Sequence, residues 1–533
     1  MLGSLIAAQI LGTLVLGLSV AHNGWVWFQG GDQIWMTTTG WLFGRLELPP
    51  TEIAYLWPFA QAPVTWVTGS TYVQALPVLV VLQVLVLGPI ALLCVYGIAA
   101  RIAGRPLGYW AAFLWVVAPF AVIPLWVERY HERWTEQFLP QALGLTAMAD
   151  FPSMVLSLAA ALFVLRSLES TRRLEDAILA GALLGAAGAL KPPNLLLAGG
   201  VVLAYAVARR WREGLACLAA TAPALLVLLA WKVKGLGEIP AFALGHQRVA
   251  AGAGPLAIDL RVDRYVELDL DHWRVQMAQL REFFYAPRVA QWAPVAGLIA
   301  VVRVRRGAIA ALLGGWLTAY ILVKGFSPRA DIQANTFWRL LMPAWPAYLL
   351  LLASIPLLVP TFARRLGDRA RSPSTRSVGR RWIAVTVALT VVVPAVALVA
   401  SSPMQRPTPA IMQDFPGGNI LTPVDDGVAL RVASEGGARR LTWKPGASWR
   451  ADVFYRVYRQ DGAGPDLHCA LSGSTAWYCY LTGTPIATTR STSFVDPSPP
   501  PEATYRIGVG TNWIDDPAAG DVFVFSPPVA AHG

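Results

Sequence analysis

The chain has 533 residues, 55% of them apolar and only 14% charged, with a mean hydropathy of +0.49; soluble chains carry about 25% charged residues, so most soluble classes and low-complexity disorder are excluded. The 43 Lys plus Arg against 32 Asp plus Glu give a formal charge of +11, but the basic residues sit between apolar runs, where they mark membrane topology rather than nucleic-acid binding. The 22 Trp and 15 Tyr fit a membrane protein, because both rings collect at the two membrane interfaces.

A spanning helix needs about 20 mostly apolar residues. Runs of that kind predict about eleven helices, near 2–22, 74–100, 107–125, 151–168, 176–190, 194–208, 214–231, 289–302, 307–323, 339–360 and 382–400. The first run lacks Lys or Arg before its apolar core and is read as a helix rather than a signal peptide. Alternate connections carry Arg101 and Arg105; Arg172 and Arg173; Arg209, Arg210 and Arg212; Arg303, Arg305 and Arg306; and seven Arg from Arg364 to Arg381. An excess of Lys and Arg marks cytoplasmic loops. The segments 23–73, 126–150, 232–288 and 324–338, and everything after 401, are therefore expected outside. The Arg run at 364–381 also suits anionic lipid.

After residue 401 the apolar runs give way to short alternating stretches, which predict an all-β domain over 401–533 behind a membrane domain over 1–400. Leu430–Ala433, Arg440–Trp443, Val453–Arg459 and Tyr505–Gly510 read as strands. Cys94 and Cys217 fall in apolar helices and read as small buried hydrophobes. Cys469 and Cys479 lie in the tail, where an oxidising compartment makes a disulfide a natural expectation. No Cys/His spacing points to zinc or redox chemistry.

Ionisable residues at a bilayer surface are informative because burying them is costly without a role. The first outer loop holds Gly31-Asp32-Gln33 and Arg45, and is apolar enough to lie along the membrane. The second holds His131 and Glu136 and ends at Asp150-Phe151-Pro152, where Asp150 would serve either as a helix cap or in a site. Lys191-Pro192-Pro193-Asn194 forms an outer turn, whose Lys would either snorkel to lipid phosphate or bind substrate. Lys324 opens the last short outer loop, and Arg339-Leu340-Leu341-Met342-Pro343-Ala344-Trp345-Pro346 leads into the next helix. His131 reads first as a solvated surface histidine.

Three phrases, Gly31-Asp32, Asp150-Phe151-Pro152 and Arg339 to Pro346, with Lys191-Pro192 as a weaker fourth, resemble the GT-C superfamily of membrane glycosyltransferases. The resemblance covers roughly residues 1–400 and is nearest the dolichyl-phosphate-mannose and aminoarabinose-transferase-like branch. It departs at Gln33, where many relatives carry a second acid. The tail phrases Leu441 to Pro445, Phe454 to Arg459, Thr492 to Asp496 and Tyr505 to Val509 resemble a fibronectin type III sandwich.

The GT-C resemblance implies transfer of a sugar, with inversion, from a polyprenyl-phosphate carrier to a glycan, lipid or protein acceptor on the extracytoplasmic face. An attacking hydroxyl needs a base, for which Asp32 is the candidate. A phosphate leaving group needs cations rather than a second acid, and Lys191, Arg339 and Lys324 are suited to that role. Asp150 is a second catalytic candidate, to orient the sugar, hold a cation or help bind a divalent metal. Arg45, Glu136 and His131 are candidate substrate contacts. Asp32, Asp150 and Glu136 form an oxygen-ligand metal set that nothing in the sequence fixes. A transporter or flippase of a lipid-linked glycan is the rival reading, but the ionisable residues gather at one face and no internal repeat is visible. The Ala-, Arg- and Pro-rich usage suits a GC-rich bacterium, with an actinobacterial plasma membrane and an arabinofuranose or mannose donor as expectations.

Overall fold

The computed structural model describes residues 1–19, 32–49, 51, 53–69, 72–120, 142–170, 172–236, 268–283, 288–327, 342–367, 380–403, 410–415, 418–423, 428–445, 453–462, 464, 467–472, 476–481, 483–511 and 521–530. The first half of the chain is helical. Helix α1 (Leu2–Ser19) is followed by α2 (Asp32–Phe43), strand β1 (Glu47–Leu48) and α3 (Leu56–Thr68), so the apolar first loop contains two helices of its own. Helix α4 (Tyr72–Leu82) runs through a π-turn at Gln83–Leu87 into α5 (Gly88–Val117). The two predicted spans stay distinct within α5 and fold back on one another, with the Tyr96 and Tyr109 rings 5.1 Å apart, so α5 is not one rod. Its helical geometry is interrupted at Ala103 and at Gly104, whose φ of 83° suits a residue without a Cβ. The interruption falls between Arg101 and Arg105, where the charge pattern places a loop.

Helices α6 (Asp150–Glu169), α7 (Arg173–Leu190), α8 (Leu197–Ala208) and α9 (Trp211–Leu236) follow, and α10 (Leu270–Phe283) occupies part of the stretch expected to be loop. Then come α11 (Arg288–Arg303), α12 (Gly307–Gly325), α13 (Trp345–Ser354), α14 (Pro360–Gly367), and α15 (Arg380–Val387) continuing through a π-turn into α16 (Val393–Ala400). Among the described residues, five stretches are long and apolar enough to cross a membrane: Ala75–Val117, Asp150–Glu169, Trp211–Gly235, Gly307–Gly325 and Arg380–Ala400. Every predicted apolar run has a helical counterpart, but several are too short to meet that criterion.

The helices pack with alternating direction, which sorts their ends onto two faces. On one, Arg101 pairs with Glu169 at 3.3 Å, Arg166 with Asp176 at 3.8 Å and Arg380 with Glu175 at 3.1 Å. On the other lie Asp150, Lys191 and Lys234, whose ammonium donates to the carbonyls of Leu398 and Val399. The contact of α7 with α9 is close because Gly181 and Gly185, four residues apart, bring the backbones together; a Cβ on Gly181 would stand 1.9 Å from the Cys217 carbonyl oxygen. Small residues at this spacing are a common basis for helix association in lipid. Cys94 and Cys217 are buried free thiols, as expected.

The tail is built of strands. Strand β2 (Ser402–Pro403) pairs in parallel with β1, stitching the first loop to the end of the last helix. Strands β3 (Ala410–Phe415), β4 (Gly418–Pro423), β5 (Val428–Glu435), β6 (Ala438–Pro445), β7 (Val453–Gln460), β8 (Leu467–Ser472), β9 (Ala476–Leu481), β10 (Thr484–Thr489), β11 (Ser493–Asp496), β12 (Thr504–Thr511), β13 (Asp521–Phe525) and β14 (Val529–Ala530) follow. They form sheets ordered β11-β6-β5, β10-β7-β12-β13 with β14 on β12, and β4-β3-β9-β8. The first two enclose a core of Leu441, Trp443, Tyr455, Val457, Tyr505, Ile507 and Val509, with Trp443 edge-on to Tyr455 at 5.4 Å. All four strands expected from the sequence lie within observed ones.

Candidate active site

The candidate site is assembled where the first loop meets the start of α6. Asp150 is in the first turn of that helix, and its carboxylate is fully buried, 0% exposed. It is not a cap: the capping position is Ala149, without a side-chain bond to the helix start. Instead the Asp150 carboxylate accepts a hydrogen bond from the Lys191 ammonium. Lys191 is 9% exposed, so it does not snorkel to lipid; it ends α7 and faces inward. Such a pair, largely desolvated, is held by geometry and additional bonds.

The turn that carries Lys191 is a 3-10 segment, Pro192–Leu196, and Asn194 locks it in place. The Asn194 amide nitrogen donates to the Lys191 carbonyl at 3.0 Å. Its amide oxygen accepts from Ser157 of α6 at 3.0 Å and from Tyr320 of α12 at 3.2 Å. One buried amide therefore ties three elements under the ion pair. Lys324, one turn further along α12 than Tyr320, lies within Coulombic range of Lys191. Among the described residues, two ammonium groups and one carboxylate stand here, a local excess of positive charge that suits an anion.

Asp32 is the first residue of α2. Its neighbour Gln33, buried, accepts the backbone N–H of Ala147 at 2.8 Å. The start of the Asp32 helix is thus fastened three residues upstream of Asp150. The same backbone stretch is held from other sides: Trp57 donates to the Ala147 carbonyl at 2.6 Å, Gln61 to the same oxygen at 3.4 Å, and Gln83 to the Thr146 carbonyl at 2.7 Å. Thr37 in turn donates to Gln61 at 2.7 Å. Residues 145–149 form no helix or strand, so side chains satisfy backbone groups that would otherwise be buried without partners.

Of the residues singled out from the sequence, the structure brings together the Asp32 end of α2, Asp150, Lys191 and Lys324. Arg45 lies beyond the other end of α2, exposed, with its guanidinium over the Trp41 ring at 4.0 Å; a 12-residue helix puts it about 18 Å from the Asp32 end. His131, Glu136 and Arg339 lie outside the described residues. Among the described residues no group of three His, Cys, Asp or Glu could hold a metal ion. The sequence reading missed Gln33, Gln61, Gln83, Asn194 and Tyr320 as structural partners of the site. The available signal was their polarity inside otherwise apolar runs, plainest at Gln83 in Val78 to Leu87.

No family model matches the sequence, and no curated protein matches it. Among solved structures, ArnT from Cupriavidus metallidurans, bound to undecaprenyl phosphate, aligns with 14% identity and a TM-score of 0.43, over 74% of this chain and 76% of that one. The oligosaccharyltransferase AglB from Archaeoglobus fulgidus, in complex with an inhibitory peptide and a dolichol-phosphate, aligns with 13% identity and a TM-score of 0.41, over 75% of this chain and 56% of that one. The apo form of the Archaeoglobus fulgidus enzyme gives 14% identity, a TM-score of 0.38, and coverage of 76% and 56%. The alignment therefore spans about half the length of the archaeal enzyme.

Proposed function

We propose that the chain is an inverting GT-C-type glycosyltransferase that moves a sugar from a polyprenyl-phosphate donor to an envelope glycan, lipid or protein acceptor, with Asp32 as general base. The observation that carries this reading is the bond from Ala147 to Gln33, which holds the Asp32 helix start beside the Asp150 helix start at the face where Lys191 and Lys324 converge. A base and a cationic anion site on one face are what the reaction requires. Asp32 takes the proton of the acceptor hydroxyl as its oxygen attacks the anomeric carbon. The bond from that carbon to the phosphate oxygen breaks, and its electron pair leaves with the polyprenyl phosphate. Lys191 and Lys324 stabilise the departing charge. Asp150 orients Lys191 by the buried pair, and Arg339 is a further phosphate contact by its place in the motif.

In the same reading the Arg-rich ends, from Arg101 to Arg381, face the cytoplasm of a bacterial cell and the site faces outside. The tail then lies outside as a fibronectin type III-like sandwich, a reading supported by a three-stranded sheet facing a five-stranded one. It also supports a Cys469–Cys479 disulfide, because the two residues are direct partners in the β8–β9 register. Strand β4 of the tail runs beside α2, which favours a role in presenting the acceptor.

The test is release of polyprenyl phosphate from labelled polyprenyl-phosphate arabinofuranose and mannose by the purified protein in lipid with acceptor extracts. Asp32→Asn is expected to lose turnover by about 100-fold or more while donor binding persists. Equal turnover in both proteins would remove Asp32 as the base. Substrate movement across the membrane without phosphate release would favour a flippase.

A further inference from the structure

We propose that Gln33 is a positioning residue, which sets the spacing between the two carboxylate-bearing helix starts by accepting the Ala147 N–H. The inference rests on the glycosyl-transfer reading and adds to it the device that aligns the base. Four side chains hold the backbone at Thr146 and Ala147, but they are not equivalent. Trp57, Gln61 and Gln83 donate to its two carbonyls from α3 and from the π-turn between α4 and α5. The Ala147 N–H is answered by α2, through Gln33. Withdrawing the Gln33 oxygen leaves the stretch before Asp150 bound on its carbonyl side, and removes the bond from Ala147 to the turn of α2 that starts with Asp32.

Among the described residues, a further side-chain bond from α2 to another element joins Thr37 to Gln61, more than one helical turn further along. The α2–α3 contact is closest further still along α2: a Cβ on Gly40 would stand 2.8 Å from the Pro58 carbonyl oxygen. Helix α2 is thus anchored to α3 in its middle and fastened to the Asp150 approach through Gln33 near its start. On the other side, Gly144 takes a φ of +75° with the Phe151 ring against it, which turns the chain toward Ala147. Position 33 is also where the sequence departs from the acid common in resembling enzymes. An amide there keeps an acceptor oxygen for Ala147 without placing a second negative charge next to Asp32, which would raise its pKa.

The experiment uses the full chain in lipid and compares Gln33→Met with Gln33→Glu. Misplacement of a reacting group by about 1 Å can cost about 100-fold. Gln33→Met, which has no acceptor oxygen, is expected to lower kcat by about 10- to 100-fold with KM for the lipid donor little changed, and to speed amide exchange at Ala147. Gln33→Glu keeps an acceptor oxygen, so it is expected to recover most of kcat and slow exchange at Ala147. The acid limb of its pH profile is expected to move upward, because a second carboxylate neighbours Asp32. If Gln33→Met fails to insert, Gln33→Asn, one methylene shorter, withdraws the oxygen from Ala147 while keeping the amide and reads the same loss. Faster exchange at Ala147 with kcat unchanged would overturn the inference and leave the enzyme reading standing. Equal loss of kcat in Gln33→Met and Gln33→Glu would overturn it too. A wild type that releases no polyprenyl phosphate would instead overturn the reading on which it rests.

Discussion

Lys191 and Asp150 close a buried ion pair across 41 residues of chain, and that chain is the antiparallel hairpin of α6 and α7. The pair thus binds the first residue of one helix to the residue that ends the next. Removing one partner leaves an uncompensated buried charge, at a cost of about 3–5 kcal/mol. Lys191→Met and Asp150→Leu are each expected to destabilise by about that amount in denaturant titrations of the protein in mixed micelles, while the double variant should lose clearly less than the sum. Additive losses would show that the two groups do not depend on one another.

Helix α7 approaches α9 so closely that there is no room for a methyl group at Gly181. Gly181→Ala must therefore push the helices apart, with an overpacking cost of about 1–3 kcal/mol and loss of the bond from Thr221 to the Gly181 carbonyl at 3.2 Å. Gly3→Ala, where nothing lies within 4 Å, is the control and should be neutral or slightly stabilising. Detergent-unfolding midpoints measured side by side check the contrast.

Asp496 gives the tail an acid sensitivity. Burial pushes its carboxyl up, but the Tyr505 hydroxyl at 2.7 Å and the Arg459 guanidinium at 3.0 Å outweigh burial and hold it below the usual carboxylate range. A depressed folded pKa contributes stability that is complete above the unfolded value, about 3.9, and is lost as pH falls through the lower folded value. The denaturant midpoint for exchange of residues 493–511 should therefore drop as pH falls below about 4. Asp496→Asn should be weaker at neutral pH and show a flatter acid response.

Cys469 and Cys479 are opposite one another on antiparallel strands, where opposite residues share one face of the sheet. Peptide mapping of protein isolated without reductant is expected to find them joined and Cys94 and Cys217 as free thiols. Cys469→Ser should then leave Cys479 reactive to alkylation. Free thiols at both positions in protein from the native membrane would count against both the bridge and the outward placement of the tail.

Much of the helical layout was legible because apolar runs of spanning length have few other destinations, and the alternation of Arg-rich turns matches the two faces that Glu169 and Asp150 mark. Asp150, Lys191 and Lys324 could be singled out one by one as ionisable groups beside apolar runs. Their pairing could not, because no local pattern announces a contact across the α6–α7 hairpin. The sequence of α2 and α3 reads as loop because Gly, Thr and Pro interrupt its apolar text, and tertiary bonds such as Thr37 to Gln61 override weak propensity. The clamp at Ala147 was invisible for a different reason: Gln33, Trp57, Gln61 and Gln83 each bond to a backbone group of Thr146 or Ala147, and no side chain at 146 or 147 signals that partner.

The order of synthesis follows from how the first loop is secured. Tyr55 donates to the carbonyl of Thr390, 335 residues later, and the Leu46 carbonyl accepts from Ser402 at 2.8 Å. At a ribosomal rate of about 5–20 residues per second, the loop waits on the order of tens of seconds for the partners that fix its far end. The far end of the first loop, at Leu46 and Tyr55, emerges early and is secured late. A nascent chain stalled just before residue 390 would carry every described helix up to α15 yet lack that anchorage, so the far end of the first loop is fixed only as the last span is completed.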